Sequence, residues 1–274
     1  MADRPALSVR FPRPSVMGVV NVTPDSFSDG GVNYRAEDAV ATARRLLDEG
    51  AAIVDIGGES TRPGSEGVSA DEELRRVEPV LEALAGAPVS IDTSKAAVAR
   101  RALALGAELV NDVTALRADP ELAGAVAEAG AYVCLMHMLG EPRTMHVSPV
   151  YDDVVSDVKA FLEERLAFAI AAGVPEELVC LDPGIGFGKT VEQNFELVGR
   201  LGELAAIGRP LLIGFSRKSS LGRLTGDPNA RTGSLAASLG AAVSAYDRGA
   251  TLLRVHDVRE HVEALAVARA VAGA

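Results

Sequence analysis

The chain has 274 residues, of which 48% are apolar and 24% charged, a composition typical of folded globular domains that excludes a largely disordered chain. The formal net charge is −11, and no basic tail or stripe interrupts it, which argues against a nucleic-acid partner. No apolar run approaches the roughly 18 residues of a membrane span, so no membrane association is predicted.

Short β-branched runs alternate with amphipathic stretches rich in Ala, Leu, Glu and Arg from one end of the chain to the other. The predicted strands are Val16–Val22, Ile53–Gly57, Val89–Thr93, Leu109–Val113, Tyr132–Met138, Val179–Asp182, Leu211–Ser216 and Leu252–Val255. The predicted helices lie near residues 37–49, 71–85, 95–105, 119–129, 152–172, 191–203, 231–247 and 258–271.

Eight strand–helix units of this kind predict an α/β fold with a parallel sheet closed into a (β/α)8 barrel. The barrel is expected to be a single domain over residues 15–274, preceded by an N-terminal arm over residues 1–14 that lies outside it. An open doubly wound sheet is the alternative. It would require a Gly-rich dinucleotide turn after the first strand, where this chain has NVTPDS instead.

Nearly every predicted strand ends in a polar or charged residue, and in a barrel the chemistry lies at these carboxyl ends. Because buried charge is unfavourable unless it is paired, such a ring of polar groups indicates function rather than stability. The chain has only four lysines, so a lysine at a strand end is notable. The residues at the strand ends are Asn21, Asp55, Glu59, Asp92, Asn111, Asp182, Ser216, Lys218, Arg254 and His256.

Two kinds of binding chemistry can be separated in this ring. Asp92, Asn111, Asp182 and Lys218 together could recognise a flat polar heterocycle with adjacent N–H and carbonyl groups. The alternative for Asp182 and Lys218 is an internal ion pair.

Arg254 and His256, with Asn21 and Arg62 nearby, form a predicted cationic corner that suits phosphate oxygens. Asn21 could supply an oxygen ligand to Mg²⁺. The alternative for His256 is a helix cap or a core histidine. Residue alternation further predicts that Ser216 and Lys218 share one direction and that Arg217 points the other way.

Three loops are rich in turn residues: Thr23–Gly31 with Phe27, Ser60–Gly67, and Asp182–Lys189 with Phe187. The first two are predicted to be lids over a substrate, and loops folded onto the barrel are the alternative. The two cysteines lie in apolar runs and are expected to be inert core thiols. Together with the absence of a secretory signal, they favour a cytoplasmic location.

The longest motifs resemble the dihydropteroate synthase family. MGVVNVTPDSFSDGG at Met17–Gly31 and DIGGESTRPG at Asp55–Gly64 are similar to its two signatures. The similarity continues at later strand ends through SIDTSK, VNDVT, CLMHM, LDPGIGFGK, GFSRKS and RVHDV. The resemblance implies a transferase that joins p-aminobenzoate to (7,8-dihydropterin-6-yl)methyl diphosphate in folate biosynthesis, with Mg²⁺ as cofactor.

The resemblance also implies roles for individual residues. It implies pterin-binding roles for Asp92, Asn111, Met136, Asp182, Gly186 and Lys218; diphosphate-binding roles for Asn21, Arg62, Arg254 and His256; and p-aminobenzoate-binding roles for Phe27, Thr61, Pro63, Phe187, Ser216 and Lys218. The catalytic residues would be Asp92, Lys218, Arg254 and the loop acid Asp29, and Asn21 would be the metal ligand. A homodimer is expected from the same resemblance.

Two rival functions remain open at this point. A methyltetrahydrofolate methyltransferase of related barrel type would share the pterin-reading groups but would have no use for a diphosphate corner. A catalytically silent paralogue that binds a pterin or a protein would be favoured by loss of the loop signatures, and both signatures are intact.

Overall fold

Eight parallel strands and eleven α-helices make up the part of the chain that the computed structural model describes, residues 4–23, 35–60, 65, 67–140 and 149–273. The strands are β1 (Ser15–Asn21), β2 (Ile53–Gly57), β3 (Val89–Asp92), β4 (Leu109–Asp112), β5 (Tyr132–Met136), β6 (Val179–Asp182), β7 (Leu212–Ile213) and β8 (Leu252–Val255). The helices are α1 (Leu7–Arg10), α2 (Ala36–Asp48), α3 (Ala70–Ala83), α4 (Ala96–Ala104), α5 (Leu122–Ala129), α6 (Val154–Ala171), α7 (Val191–Gly199), α8 (Leu201–Ala205), α9 (Ser219–Leu224), α10 (Leu235–Asp247) and α11 (Val258–Ala272).

The strands pair in the order β6-β5-β4-β3-β2-β1-β8-β7, each parallel to its neighbours. A parallel bridge between Leu181 in β6 and Leu211, the residue before β7, joins the two ends of this order. The predicted (β/α)8 barrel is therefore confirmed. None of the helices in the described residues is long and apolar enough to cross a membrane.

Alternation along the strands separates the inside of the barrel from its outside. In β2, Val54 and Ile56 belong to the large apolar cluster between strands and helices, whereas Ile53 belongs to a second cluster. Because alternate residues share a face, Asp55 and Gly57 project with Ile53 into the barrel interior. The inward face thus changes from apolar at one end of the barrel to polar at the other.

The N-terminal arm covers the apolar end of the barrel. Leu7 and Phe11 are fully buried and pack in the same cluster as Met17 and Tyr132. The Phe11 and Tyr132 rings meet edge to face with centroids 5.9 Å apart, and the Tyr132 hydroxyl donates to the carbonyl of Pro5 at 2.8 Å. The arm is thus packed against the barrel and closes its amino end.

The free thiols of Cys134 and Cys180 lie in the same buried cluster, on neighbouring strands. Both are completely shielded from solvent. The prediction of inert core thiols agrees with this placement.

Element boundaries differ from the prediction mainly after β6. The predicted strand Leu211–Ser216 contributes only β7, because the backbone then turns and reaches a left-handed conformation at Arg217 (φ 57°). The predicted helix over 191–203 divides at Arg200 into α7 and α8, and α9 was not predicted. Helix α10 begins later than predicted because the Ser234 side chain caps it by accepting from the Ala237 N–H.

Replacing Phe11 with Ala should lower the free energy of unfolding by about 3–5 kcal/mol, because it empties a fully buried position under the barrel. Val9, on the same short helix but 69% exposed, provides the control: Val9→Ala should change stability by about 0.5 kcal/mol or less. Urea denaturation measures both values. Equal effects of the two substitutions would contradict the packed arrangement of the arm.

Candidate active site

The polar residues predicted at the strand ends form neighbouring positions on one rim of the barrel. Gly57 pairs in register with Asn21 on one side and with Asp92 on the other, and Asp92 pairs with Asn111. Asn21 Oδ1 and Asp92 Oδ2 each lie 3.7 Å from the position that a Cβ on Gly57 would occupy. The missing side chain of Gly57 therefore leaves room between the amide and the carboxylate.

The guanidinium group of Arg254, on β8, binds one carboxylate on β2 and another on β3. Arg254 Nε donates to Asp55 Oδ2 at 2.7 Å, and its Nη2 donates to Asp92 Oδ2 at 2.9 Å. Asp55 Oδ2 also accepts from Asn111 Nδ2 at 2.9 Å. These contacts fix the predicted pterin residues Asp92 and Asn111 and the predicted diphosphate residue Arg254 as one network.

Two buried carboxylates, those of Asp55 and Asp92, share the positive charge of Arg254. Burial raises the pKa of Asp92 to about 7; Arg254 opposes this shift, while nearby Asp55 adds to it. Burial alone would lower the pKa of Arg254, but Asp55 and Asp92 raise it above its ordinary value. Asp92 therefore gains and loses its proton near neutral pH in the ligand-free site.

Asp182 lies at the end of β6, where its Oδ1 accepts the N–H of Gly184 at 2.7 Å. Burial raises the pKa of Asp182 to about 6, although the Gly184 N–H and the cation of Lys218 lower it. In register with Asp182 on the neighbouring strand is Met136, which clusters with other apolar side chains of the rim. A carboxylate and an apolar wall thus lie side by side.

The loop after β6 contacts Lys218, which follows β7, through the ring of Phe187. Lys218 Nζ lies 4.2 Å from the centroid of the Phe187 ring, which is a cation–π contact. A Cβ on Gly186, which has φ of +82°, would lie 3.2 Å from Lys218 Cδ. The glycine is therefore needed both for its backbone conformation and for the close approach of Lys218.

His256 differs from the cationic corner expected from the sequence. Burial, and then Arg254 and Arg217, lower the pKa of His256 to about 3, so its imidazole is neutral at pH 7. Its Nδ1 lies 3.2 Å from Ser216 Oγ, and its backbone N–H donates to the same hydroxyl. His256 can therefore offer a neutral N–H rather than a positive charge.

Arg217 pairs with the carboxylate of Asp257, with Nε 3.0 Å from Oδ2. Its partner differs from those of its neighbours, since Ser216 contacts His256 and Lys218 contacts the Phe187 ring. Strand alternation does not extend to Arg217, because β7 ends at Ile213 and the backbone at Arg217 is left-handed.

A cavity of about 430 Å³ opens beside Asp92. Among the predicted pterin residues it touches only Asp92, and Val113 and Met138 give it an apolar wall. Glu59, another residue of its lining, forms an ion pair with Lys95, which also binds Glu73. A cavity of this size suits a small heterocyclic ligand.

Asn21 could take part in a magnesium site. Within the described residues, no group of three or more His, Cys, Asp or Glu side chains could hold a metal ion. The half-buried Asn21 supplies one amide oxygen beside Asp92. One protein oxygen fits Mg²⁺ only when the ion keeps several waters and is also bound by substrate phosphates.

Several predicted site residues lie outside the described residues. They are Phe27, Asp29, Thr61, Arg62 and Pro63. The other predicted site residues, at the strand ends and on the loop after β6, lie in the described part of the chain.

Three side chains in this region receive no role from the sequence: Asp55, Lys189 and His137. Asp55 ends a predicted strand, but its contact with Arg254 bridges 199 positions and no local pattern reveals it. Strand alternation could have placed it inside the barrel, two residues before Gly57. Lys189 and His137 form a buried pair, with Nζ 2.8 Å from Nδ1.

The chain is similar to known proteins along nearly its whole length. Residues 17–256 match the model of the pterin binding enzyme family. The chain is 47% identical over 271 residues to dihydropteroate synthase of Escherichia coli (strain K12), covering 97% of this chain and 95% of that protein.

Two solved structures are similar over nearly their whole length. Dihydropteroate synthase of Yersinia pestis with a sulfonamide drug has a TM-score of 0.90 and 47% identity, covering 96% of this chain and 95% of that chain. Dihydropteroate synthase of Xanthomonas albilineans with 4-aminobenzoic acid has a TM-score of 0.87 and 50% identity, covering 96% and 94%.

The free energy of unfolding of Asp92→Asn, taken relative to that of the wild type, should rise with pH. The pKa of Asp92 is about 7 in the folded state against an ordinary 3.8, so ionisation of Asp92 lowers the free energy of unfolding of the wild type between about pH 4 and 7. Asp92→Asn lacks this pH-dependent loss, so the difference between the variant and the wild type should change in favour of the variant by about 1–3 kcal/mol from pH 5 to 8. Urea denaturation across this range measures it.

The surface residue Asp153 provides the control for that experiment. Its pKa is held below its ordinary value, mainly by the hydrogen bond from Arg200. The stability difference between Asp153→Asn and the wild type should therefore stay flat from pH 5 to 8. If the stability of Asp92→Asn relative to the wild type also stayed flat from pH 5 to 8, the raised pKa of Asp92 would be contradicted.

Proposed function

The chain belongs to the pterin binding enzyme family, and we propose that it is a dihydropteroate synthase. It is a transferase that joins (7,8-dihydropterin-6-yl)methyl diphosphate to p-aminobenzoate and releases 7,8-dihydropteroate and diphosphate in folate biosynthesis. The observation that carries this conclusion is 47% identity to a dihydropteroate synthase along nearly the entire chain. The buried network on Arg254 supplies a site of matching chemistry.

In this proposal the pterin ring binds among Asp92, Asn111, Asp182 and Lys218. A pterin edge presents ring N–H, amino and carbonyl groups, which need both acceptors and donors. All four residues lie on the same rim, and the two carboxylates and the amide are at most 8% exposed. Buried groups of this kind discriminate strongly, since an analogue that lacks a partner leaves them unpaired. Met136 and Gly186 would flank the ring.

The p-aminobenzoate end of the site is proposed to include Phe187, Ser216 and Lys218. The contact between Lys218 and the Phe187 ring supports this placement, because it leaves a cation and an aromatic surface beside each other. Phe27, Thr61 and Pro63 would complete the pocket from their loops.

The diphosphate is proposed to bind Arg254, His256 and Arg62, and Asn21 would hold Mg²⁺ beside it. Arg254 would bring a positive charge that its two carboxylates already orient. Neutral His256 would donate an N–H. When bound, Mg²⁺ neutralises phosphate charge and so makes diphosphate a better leaving group.

The bond from the pterin methylene carbon to diphosphate breaks first and leaves positive charge on that carbon. The amine of p-aminobenzoate, which is neutral at pH 7 and already a nucleophile, then forms the new C–N bond, and the proton that the amine loses passes to the released diphosphate. Arg254 would stabilise the departing charge, and ionised Asp92 the positive charge on the pterin methylene. Lys218 would border both substrates, and Asp29 would act when its loop closes to exclude water.

We further propose a homodimer in the cytoplasm. Helices α10 and α11 pack against each other on the barrel surface. Val267 and Val271 on α11 are 66% and 73% exposed, and they offer an apolar surface for a second copy. Neither a nucleic acid nor a membrane is proposed as a partner.

The proposed activity is tested by following diphosphate release while p-aminobenzoate, the pterin diphosphate and Mg²⁺ are omitted in turn. Release should need all three, with stoichiometric 7,8-dihydropteroate formed, and a sulfonamide should compete with p-aminobenzoate. A folded protein that binds the pterin but releases no diphosphate would favour a silent paralogue. Methyl transfer from methyltetrahydrofolate would instead favour the methyltransferase alternative.

The Asn21 assignment has its own test. Asn21→Ala should raise the Mg²⁺ concentration for half-maximal activity about tenfold, because it removes the one proposed protein oxygen from the ion. The KM for p-aminobenzoate, measured at saturating Mg²⁺, should stay within twofold of the wild type. An unchanged Mg²⁺ requirement would remove Asn21 from the metal site.

A further inference from the structure

The buried side chain of Lys189 is not used by the proposed mechanism. Lys189 follows the loop after β6 and is only 5% exposed. Its Nζ donates to the carbonyl oxygens of Gly184 at 3.0 Å and Phe187 at 2.9 Å, lies 2.8 Å from His137 Nδ1, and makes a longer contact of 3.4 Å with the His137 carbonyl oxygen. Burial lowers the pKa of Lys189 to about 7, and the nearby carboxylate of Asp182 opposes this shift.

The three shorter contacts match the donors of an ammonium group. A protonated lysine has three N–H donors and no acceptor, so the imidazole accepts at Nδ1 when Lys189 carries its proton. His137 can do so, because burial, and then Lys189, lower its pKa to about 2 and keep the ring neutral. Lys189 thus ties two carbonyls of one loop to the residue that follows β5.

The same loop carries the aromatic ring at the proposed p-aminobenzoate end. Phe187 packs under Lys218 Nζ through its ring and binds Lys189 through its carbonyl. The loop is also folded closely onto the end of β5: a Cβ on Gly184 would lie 1.9 Å from the carbonyl oxygen of His137. The position of the ring therefore depends on a backbone that Lys189 holds from the inside.

Other contacts hold this loop from different directions. The Gly186 N–H donates to Asn194 Oδ1 at 2.7 Å, and the Tyr151 hydroxyl donates to the carbonyl of Gly188 at 2.8 Å. Neither contact involves the carbonyls of Gly184 and Phe187. The Tyr151 contact therefore provides a matched comparison one residue beyond Phe187.

We propose that Lys189 is a positioning residue for the transferase reaction, which fixes the loop after β6 so that Phe187 stays against Lys218 where p-aminobenzoate binds. The proposal rests on the proposed function. It assigns Lys189 no contact with either substrate. It predicts a larger effect on p-aminobenzoate than on the pterin. Of the proposed pterin groups, Asp92 and Asn111 lie on β3 and β4, Asp182 is paired within β6, and the Gly186 N–H is held by Asn194 rather than by Lys189.

The first experiment compares Lys189→Met with Tyr151→Phe in steady-state kinetics. Lys189→Met should raise the KM for p-aminobenzoate about tenfold, while the KM for the pterin diphosphate stays within twofold. In Tyr151→Phe both values should stay within twofold of the wild type. Equal changes in both KM values for Lys189→Met, or none, would overturn the proposal.

A second readout does not depend on activity. In protein labelled with 3-fluorophenylalanine, the ¹⁹F signal of Phe187 is assigned as the one absent from Phe187→Leu. This signal should shift in Lys189→Met and stay in place in Tyr151→Phe. An unchanged signal would overturn the positioning role even in an active enzyme. A wild type that makes no dihydropteroate would instead overturn the proposed function.

If Lys189→Met fails to fold, the partner residue gives an equivalent test. His137→Leu removes the Nδ1 acceptor, whereas His137→Asn places an amide oxygen where Nδ1 lies. His137→Leu should raise the KM for p-aminobenzoate about threefold, and His137→Asn should restore it. Equal values for the two variants would contradict the proposal.

Discussion

The arrangement of this rim depends on one shared cation. Arg254 lies between Asp55 and Asp92, and Asp55 also holds the amide of Asn111. Removing one partner from such a buried group leaves an uncompensated charge, so the four strands that carry these residues must keep their register. The network therefore links barrel geometry directly to the placement of the groups proposed to read the pterin.

The same network disfavours the charged form of Asp92. Burial raises the pKa of Asp92, and Asp55, which binds the same guanidinium, adds to this shift. Proteins commonly keep such unfavourable arrangements where a ligand relieves them. In the proposed reaction the pterin would supply N–H donors to Asp92, and diphosphate would give Arg254 a further anionic partner.

Periodicity explains how much the sequence could predict. Asp92, Asn111 and Asp182 end buried strands, so alternation and the barrel rule place them on one rim without any structure. The Arg254–Asp55 and Lys189–His137 contacts join strands or loops far apart in the chain, and no local pattern specifies them. The sequence also does not predict a neutral His256, because the lowered pKa of this side chain depends first on its burial in the folded protein. The substrate roles came from family resemblance rather than from spacing.

The shared cation is tested most directly by a ¹³C NMR titration of the Asp92 carboxyl group, assigned with Asp92→Asn. The midpoint should lie near 7 in the ligand-free protein, against an ordinary 3.8, because Asp92 is buried and shares Arg254 with Asp55. Addition of a pterin should lower this midpoint, since its N–H groups favour the ionised carboxylate. A midpoint near 3.8, or one that a pterin leaves unchanged, would contradict a buried Asp92 that shares Arg254 and binds the pterin.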